Sequence, residues 1–294
     1  MPRHQFSASR TLAPHVQLYA AVDPFLGAAE PFLRSDPFST NVIAVVAGRI
    51  VAGLEPASDS NLWATVTDSG GHVVGVAMHT PPHHVFLSRM PAEAAAALAQ
   101  TLADKGREVP GVNGALESTR PFAATWRAAT GCDSRLVTAE RLYRLGTLKA
   151  PDAVAGRGIT AARLQHVELM AAWLAAFHDE AQPEAPVLDW YTLAQRRVAA
   201  GQVQLWQAAD VFVSLAAVSA PAAGVARIGP VYTPPADRRR GYGAAVTAHA
   251  THAALAGGAD HVVLYTDLAN PTSNSIYQKI GFVPDHDAEE RAFR

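Results

Sequence analysis

The chain has 294 residues, of which 49% are hydrophobic, enough for one large domain or two ordinary ones with buried cores. Its 24 Lys and Arg residues stand against 26 Asp and Glu residues, and the formal net charge of -2 provides no general attraction to nucleic acid or to an anionic membrane. The single cysteine, Cys132, excludes an intrachain disulfide, and no early apolar stretch is as long as a signal peptide or membrane span. We therefore expect a cytoplasmic protein that binds neither nucleic acid nor membranes.

Apolar patterning predicts an alternation of strands and helices in the first half. Residues 1–40 are predicted to be helical or irregular. Strands are then predicted at 42–46, 63–66, 73–79 and 85–89, a helix at 91–105, a short strand within 111–118, a helix at 121–130 and a strand at 141–148.

The segment KAPDAVAGRGIT, residues 149–160, holds Pro, two Gly and no periodic apolar face, which predicts a boundary between domains 1–150 and 151–294. Beyond it the pattern predicts a helix at 166–177, strands at 202–206, 211–218 and 226–232, a helix at 241–256, a strand at 261–266 and a helix at 271–280. The similar order in both halves indicates an internal duplication of about 140 residues.

The segment DRRRGYGAA, residues 237–245, joins a strand to an apolar helix. Because Gly241 and Gly243 stand where that helix begins, its first backbone N–H groups carry no covering side chains. The helix dipole and Arg238, Arg239 and Arg240 add positive charge at the same place. The segment therefore predicts a local site for a phosphate. It lacks the Gly-Lys-Ser/Thr of a Walker loop, and Val246 replaces the third glycine or alanine of a dinucleotide fingerprint.

Arg-x-x-Gly-x-Gly after a strand ending in VYTP resembles the coenzyme A loop of the GNAT N-acetyltransferase superfamily. A second segment, YTDLANPTSNSIYQKIGF at 265–282, is similar to the last motif of that family. Asn270 suits a helix N-cap there, Pro271 the first helical position, and Gly281 a left-handed exit. The resemblance covers residues 160 to 294. It implies an α/β (α+β) fold of tandem GNAT-like domains, each a mixed, mostly antiparallel sheet with flanking helices and splayed central strands.

The resemblance also implies acetyl-CoA as the co-substrate and transfer of its acetyl group to a primary amine by direct attack in a ternary complex. The acceptor would be a small molecule or a peptide, and a homodimer is left open. Tyr277 matches the family's general acid, which meets the departing thiolate. The cofactor-binding residues implied are Val231, Tyr232, Thr233, Arg238, Arg239, Arg240, Gly241, Tyr242, Gly243, Ala244, Asn270 and Ser273.

The general base is not evident, because the strand ARIGPVYT has no carboxylate. Four acidic residues lie in or after the first helices of the second half, where the family shapes its acceptor site, although a solvated acidic surface is the simpler interpretation. They are Glu168, Asp179, Glu180 and Glu184. No metal site is expected, since the histidines near His83 and His84 have no carboxylate or cysteine at ligand spacing.

The first half has no glycine where its equivalent loop should open a helix, in RMPAEAAAAL at 89–98, and Trp126 stands roughly where Tyr277 does. We therefore expect that this half has lost coenzyme binding. Two alternatives to an enzyme of this kind stay open: a non-catalytic module that binds or senses acyl-CoA, and an aminoacyl-tRNA-dependent transferase, which the lack of a basic stripe disfavours.

Overall fold

A computed structural model describes residues 13–161 and 164–294. The first half runs in the order β1 (His15–Tyr19), α1 (Val22–Ser35), α2 (Asn41–Val51), β2 (Leu62–Thr67), β3 (Val73–His79), β4 (Val85–Leu87), α3 (Ala92–Asp104), β5 (Gly111–Ala115), α4 (Leu116–Thr130) and β6 (Ser134–Leu145).

The second half repeats this order with β7 (Arg157–Thr160), α5 (Leu164–Ala181), α6 (Trp190–Ala199), β8 (Val203–Ala208), β9 (Val211–Val218), β10 (Val225–Tyr232), α7 (Tyr242–Ala256), β11 (His261–Asp267), α8 (Pro271–Lys279) and β12 (Phe282–Phe293). A short 3-10 turn at Pro235–Asp237 precedes α7.

All strands belong to one sheet of order β1-β2-β3-β4-β5-β12-β6-β11-β10-β9-β8-β7. Within each half, the first four strands pair antiparallel and the fifth is parallel to the fourth: β4 with β5, and β10 with β11. The predicted duplication is therefore visible as a repeated, mostly antiparallel topology.

The halves exchange their last strands. β6, from the first half, pairs with β11 of the second, while β12 pairs with β5 of the first, and β6 and β12 pair with each other at the centre. Across this centre, four residues pair in register from strand to strand: Ala115 of β5, Ala288 of β12, Glu140 of β6 and Asp267 of β11. The boundary predicted near residue 150 lies between β6, which is at this shared centre, and β7, which is at the outer edge of the sheet.

Helices cover both faces of the sheet. On one face, α3, α4, α7 and α8 pack over two apolar clusters, and we call this the α7 face. On the other, α1, α2, α5 and α6 pack over two further clusters, and we call this the α6 face. A small cluster of Leu142, Val225 and Val263 lies on the α6 face between the two helix pairs.

The strand predicted at 42–46 is wrong, because these residues form part of helix α2. A continuous apolar run is compatible with a buried helix as well as with a buried strand, and α2 buries Ile43, Val45 and Ala47 against the sheet. Helix α1 lies within the segment predicted to be helical or irregular, but the pattern missed β1, β7, α6 and β12, whose apolar residues are interrupted by polar ones or by proline.

Candidate functional site

A gap opens between the parallel strands β10 and β11. Their paired register ends at Ile228 and Leu264, although β10 continues to Tyr232 and β11 to Asp267. β10 is also irregular on its other side, where its register with β9 shifts between Ile228 and Val231. Backbone groups that leave a ladder in this way need other partners, so the gap can accept an extended ligand.

Helix α7 begins at the mouth of this gap. Gly241, at the N-cap, has φ 84°, a left-handed backbone, and a side chain there would meet Val154. Gly243 lies in the first turn, and an added Cβ would make only ordinary contacts with Thr233 and Ile276. The first turn of α7 carries no acidic residue. The predicted anion site thus lies at a helix start with uncovered amides and no acidic residue in its first turn.

The three arginines of the loop are all exposed at this helix start. Arg238 donates from Nε to the carbonyl of Thr233 at 2.9 Å and from a terminal nitrogen to Glu180 at 2.6 Å. Arg240 pairs with Asp237 at 3.4 Å, and Arg239 adopts a left-handed backbone with φ 61°. Two of the three guanidinium groups are therefore held by carboxylates here.

The remaining predicted site residues lie around the same gap. Val231 and Tyr232 end β10, and the Thr233 hydroxyl lies 2.8 Å from the hydroxyl of buried Ser214. Tyr242 and Ala244 flank Gly243 in the first turn of α7. These positions surround the mouth of the gap from β10 and α7.

Asn270 and Ser273 form the start of α8, on the β11 side. The Asn270 side chain accepts a hydrogen bond from the Ser273 N–H at 3.0 Å, which confirms the predicted N-cap. Tyr277 lies one turn later and is 8% exposed, packed with Ile280 and Phe282. Burial raises the pKa of Tyr277 to about 12, against a smaller lowering by a hydrogen bond with Ser273.

Sequence reasoning missed three polar side chains that lie where the gap opens on the α6 face. Because neighbouring strand residues point to opposite faces, Arg227 points away from Ala226 and Ile228, which pack beneath α7. Tyr265 is the first residue of β11 beyond the paired register, and Glu140 on β6 pairs in register with Asp267 at the end of β11.

These groups perturb one another's ionisation. Burial raises the pKa of Glu140 to about 7, with further raising by Glu290 and Asp267 and a smaller lowering by Arg227. Burial lowers the pKa of Arg227 and raises that of Tyr265. A carboxyl group with a pKa near neutrality can both accept and release a proton at physiological pH.

The equivalent place in the first half is closed. Beyond the end of β4, the Met90 N–H donates to the Ser118 hydroxyl at 3.0 Å, and Arg89 pairs with Glu117 at 2.8 Å. Helix α3 begins with Pro91 at its N-cap and has Glu93 in its first turn. The carboxylate of Glu93 opposes an anion at this helix start.

Two further residues distinguish the halves. By the repeated topology, Ala115 of β5 corresponds to Asp267 of β11 and Ala288 of β12 corresponds to Glu140 of β6, so the two carboxylates beside the second gap have alanine counterparts beside the first. Trp126, compared with Tyr277 above, packs in the core with Phe122 and Phe293.

The four acidic residues of the second half are all exposed, in line with the simpler interpretation of a solvated acidic surface. Glu180 pairs with Arg238, Glu184 with Arg135 and Asp179 with His178. In the part of the chain that the structure describes, no group of three or more His, Cys, Asp or Glu side chains is arranged to hold a metal ion, and no helix is long and apolar enough to cross a membrane.

Comparison with known proteins agrees with this geometry. The model of the FR47-like protein family matches residues 213–292, which include β10, the loop, α7, β11 and α8. No curated protein matches the sequence.

Several solved structures have a similar fold over almost the whole chain. A GCN5-related N-acetyltransferase from Sphaerobacter thermophilus is 16% identical with a TM-score of 0.62, covering 95% of each chain. A GNAT-family acetyltransferase from Colwellia psychrerythraea is 11% identical with a TM-score of 0.56, covering 95% of this chain and 100% of that one.

A tandem GNAT protein from the clavulanic acid biosynthesis pathway is 14% identical with a TM-score of 0.52, covering 95% of this chain and 98% of that one. At these identities the likeness concerns the fold. The chain therefore has the GNAT acetyltransferase fold along almost its whole length, with an FR47-like segment that contains the gap between β10 and β11.

Proposed function

We propose that the chain is an N-acetyltransferase that moves an acetyl group from acetyl-CoA to a primary amine by direct attack in a ternary complex, at a single site in the second half. The observation that carries the proposal is the open gap between β10 and β11, with the uncovered start of α7 at its mouth. The first half has the same strands but a bridged gap and an acidic helix start.

The residues at the gap fit a coenzyme with an anionic end and an extended arm. The amides of residues 241–244 and the arginines of the loop would hold the pyrophosphate, because a helix start and guanidinium groups both favour bound anions. Val231 and Thr233 on one side and Asn270 on the other would bind the arm. When bound, acetyl-CoA supplies the activated thioester.

The chemistry needs a neutral amine. An alkyl amine with a pKa of about 10.4 is neutral in roughly one molecule in 2,500 at pH 7, a cost of about 4.6 kcal/mol. We assign Glu140 as the group that accepts the proton, because it lies beside the end of β11 and its pKa is raised to about 7. The neutral amine nitrogen bonds to the acetyl carbon and the carbon–sulfur bond breaks. The second proton that the nitrogen loses goes to the departing thiolate, which leaves as the thiol of coenzyme A.

Tyr277 would donate a hydrogen bond to the departing thiolate. Full proton transfer from a phenol with a pKa of about 12 to a thiolate, whose thiol has a pKa of about 8.5, is unfavourable by about 5 kcal/mol. A hydrogen bond that strengthens as charge develops on sulfur is the role that this pKa allows.

Calorimetric titration with acetyl-CoA tests the site. Gly243→Glu places a carboxylate at the start of α7 without left-handed strain, and the site has room for its Cβ; we expect it to abolish binding. Ala92→Glu is the matched control, since Ala92 is exposed at the equivalent start of α3. Unchanged binding by Gly243→Glu, or equal loss in both variants, would refute a site at α7.

A binding module without turnover is the alternative class. It predicts saturable acetyl-CoA binding that depends on Gly243 but no acetylation of any amine and no coenzyme A release. The partly desolvated carboxyl group of Glu140 beside the gap favours the enzyme, because a module that only binds acyl-CoA has no use for a proton acceptor there.

A further inference from the structure

Two arginines lie on the α6 face beside the gap, and we call them the arginine pair: Arg197 of α6 and Arg227 of β10. Arg197 donates from a terminal nitrogen to the carbonyl of Gly229 at 3.3 Å, just beyond the end of the paired register. Both residues are partly buried rather than sealed. Their guanidinium groups are therefore partly accessible to a ligand beside the gap on the α6 face, a region that we call the cleft.

Neither member of the arginine pair forms an ion pair with any residue that the structure describes, whereas nearby Arg49 binds Glu55 at 2.7 Å. Burial lowers the pKa of Arg197 to about 10, and Arg227 and Arg49 lower it further, against raising by Glu55. Burial also lowers the pKa of Arg227. Glu55 and Glu140 offset this charge only from a distance, and holding two partly buried guanidinium groups near each other without an ion-paired carboxylate is costly. A ligand carrying an anion would offset that cost.

The cleft also has an acidic end. Glu140 lies on β6, two strands from β10, with Asp267 beside it in register and Glu290 close on β12. Burial and these two carboxylates each raise the pKa of Glu140 by more than Arg227 lowers it. No ion pair joins Glu140 to Arg227 among the described contacts. The cleft thus has a cationic end and a proton-accepting end that do not neutralise each other.

We propose that the acceptor is a primary amine that also carries an anionic group, a carboxylate or a phosphate, which the arginine pair binds while the amine faces Glu140. Guanidinium groups bind both anions through paired N–H donors. The inference rests on the proposed function, because it names the substrate class of the same site, and it adds an acceptor chemistry that the coenzyme site alone does not specify.

The test compares anionic acceptors with neutral analogues of the same length. The carboxylate arm uses glycine, β-alanine, γ-aminobutyrate and ε-aminocaproate against their carboxamides, and the phosphate arm uses O-phosphoethanolamine against ethanolamine. The series of increasing length reports the distance between the amine and the anion site. The acetyl-transfer rate gives kcat/KM, and calorimetry in the presence of coenzyme A measures acceptor binding without turnover.

Arg197→Met removes one guanidinium group and keeps an apolar stem. Its matched control is Arg196→Met, since Arg196 is the exposed neighbour on α6. We expect at least one anionic acceptor to exceed its neutral analogue by about 10- to 100-fold in kcat/KM, the range for a hydrogen-bonded charge. Arg197→Met should remove most of that preference, Arg197→Lys should restore part of it, and Arg196→Met should leave it unchanged.

Three results would overturn the inference. The first is equal use of anionic and neutral acceptors, or a preference that survives Arg197→Met. The second is failure of every anionic probe to bind while acetyl-CoA still binds, which leaves the proposed function standing. The third is a preference for succinyl-CoA over acetyl-CoA that Arg197→Met removes, which would assign the arginine pair to the acyl donor. If the natural chain does not bind acetyl-CoA, the proposed function itself is refuted.

Discussion

Glu140 combines a cost to stability with the role of proton acceptor that we propose for it. Its pKa in the folded protein is raised from 4.5 to about 7, so the folded state binds the proton more tightly than the unfolded chain. The resulting stability is fully present below pH 4.5 and is lost as the pH rises to about 7. At higher pH the ionised carboxylate is held at a net cost of up to about 3 kcal/mol.

Glu140→Gln therefore separates function from folding. We expect kcat/KM of the natural chain to rise with pH and level off above about pH 7, where Glu140 is ionised. The variant should lose this inflection and about 100-fold or more in rate, the usual contribution of a general base.

Denaturant unfolding of the same variant supplies the control. At pH 8 Glu140→Gln should be at least as stable as the natural chain, because it removes a buried negative charge. A variant that is unstable at pH 8, or one that keeps the pH inflection, would contradict the assigned role of Glu140.

Tyr277 gives a second prediction at this scale. Tyr277→Phe keeps the ring that packs against Phe282 and removes the hydroxyl. We expect kcat to fall about 10- to 100-fold while the dissociation constant of acetyl-CoA, measured by calorimetry, stays within about twofold, since the hydroxyl acts on a charge that develops only during the reaction. Loss of coenzyme binding in this variant would instead show that Tyr277 is a structural residue.

At the scale of elements, local signals predicted the start of α7 and of α8. The glycines of the loop, the capping Asn270 and the following proline determine local backbone geometry, and the structure has them as predicted. The strand predicted at 42–46 failed because α2 is buried on more than one side, which removes the periodic contrast that separates a helix from a strand.

Local sequence signals did not predict the side of the site where we propose that the acceptor binds. Glu140, Arg197 and Arg227 lie on β6, α6 and β10, and each is an unremarkable charged residue in its own segment. They come to one cleft only because β6 crosses into the second half and pairs with β11. A strand pairing of this kind depends on the whole sheet, so no short spacing in the sequence encodes it.

At the scale of the whole molecule, the second half is incomplete without β6. This strand covers the edge of β11, and its Tyr143 hydroxyl donates to Asn274 at 2.9 Å and accepts from Gln278 at 2.9 Å, both on α8. Leu142 completes the apolar cluster on the opposite face. The helix that carries Tyr277 is therefore held in place by the first half.

Two fragments test this dependence. Residues 151–294 lack β5 and β6 and leave the edge of β11 and both sides of β12 without their partners, so we expect aggregation or no cooperative unfolding transition. Residues 132–294 retain β6 and should unfold cooperatively in urea. Equal, cooperative unfolding of both fragments would mean that the region beyond residue 150 folds as an independent domain.

The exchanged strands also bear on how two copies of one fold can diverge. A half with a bridged gap and an acidic helix start would be dispensable if it stood alone, yet it gives the neighbouring half both the strand that covers the edge of β11 and the carboxyl group proposed to accept the proton. The proposed chemistry of the second half therefore depends directly on residues 134–145 of the first.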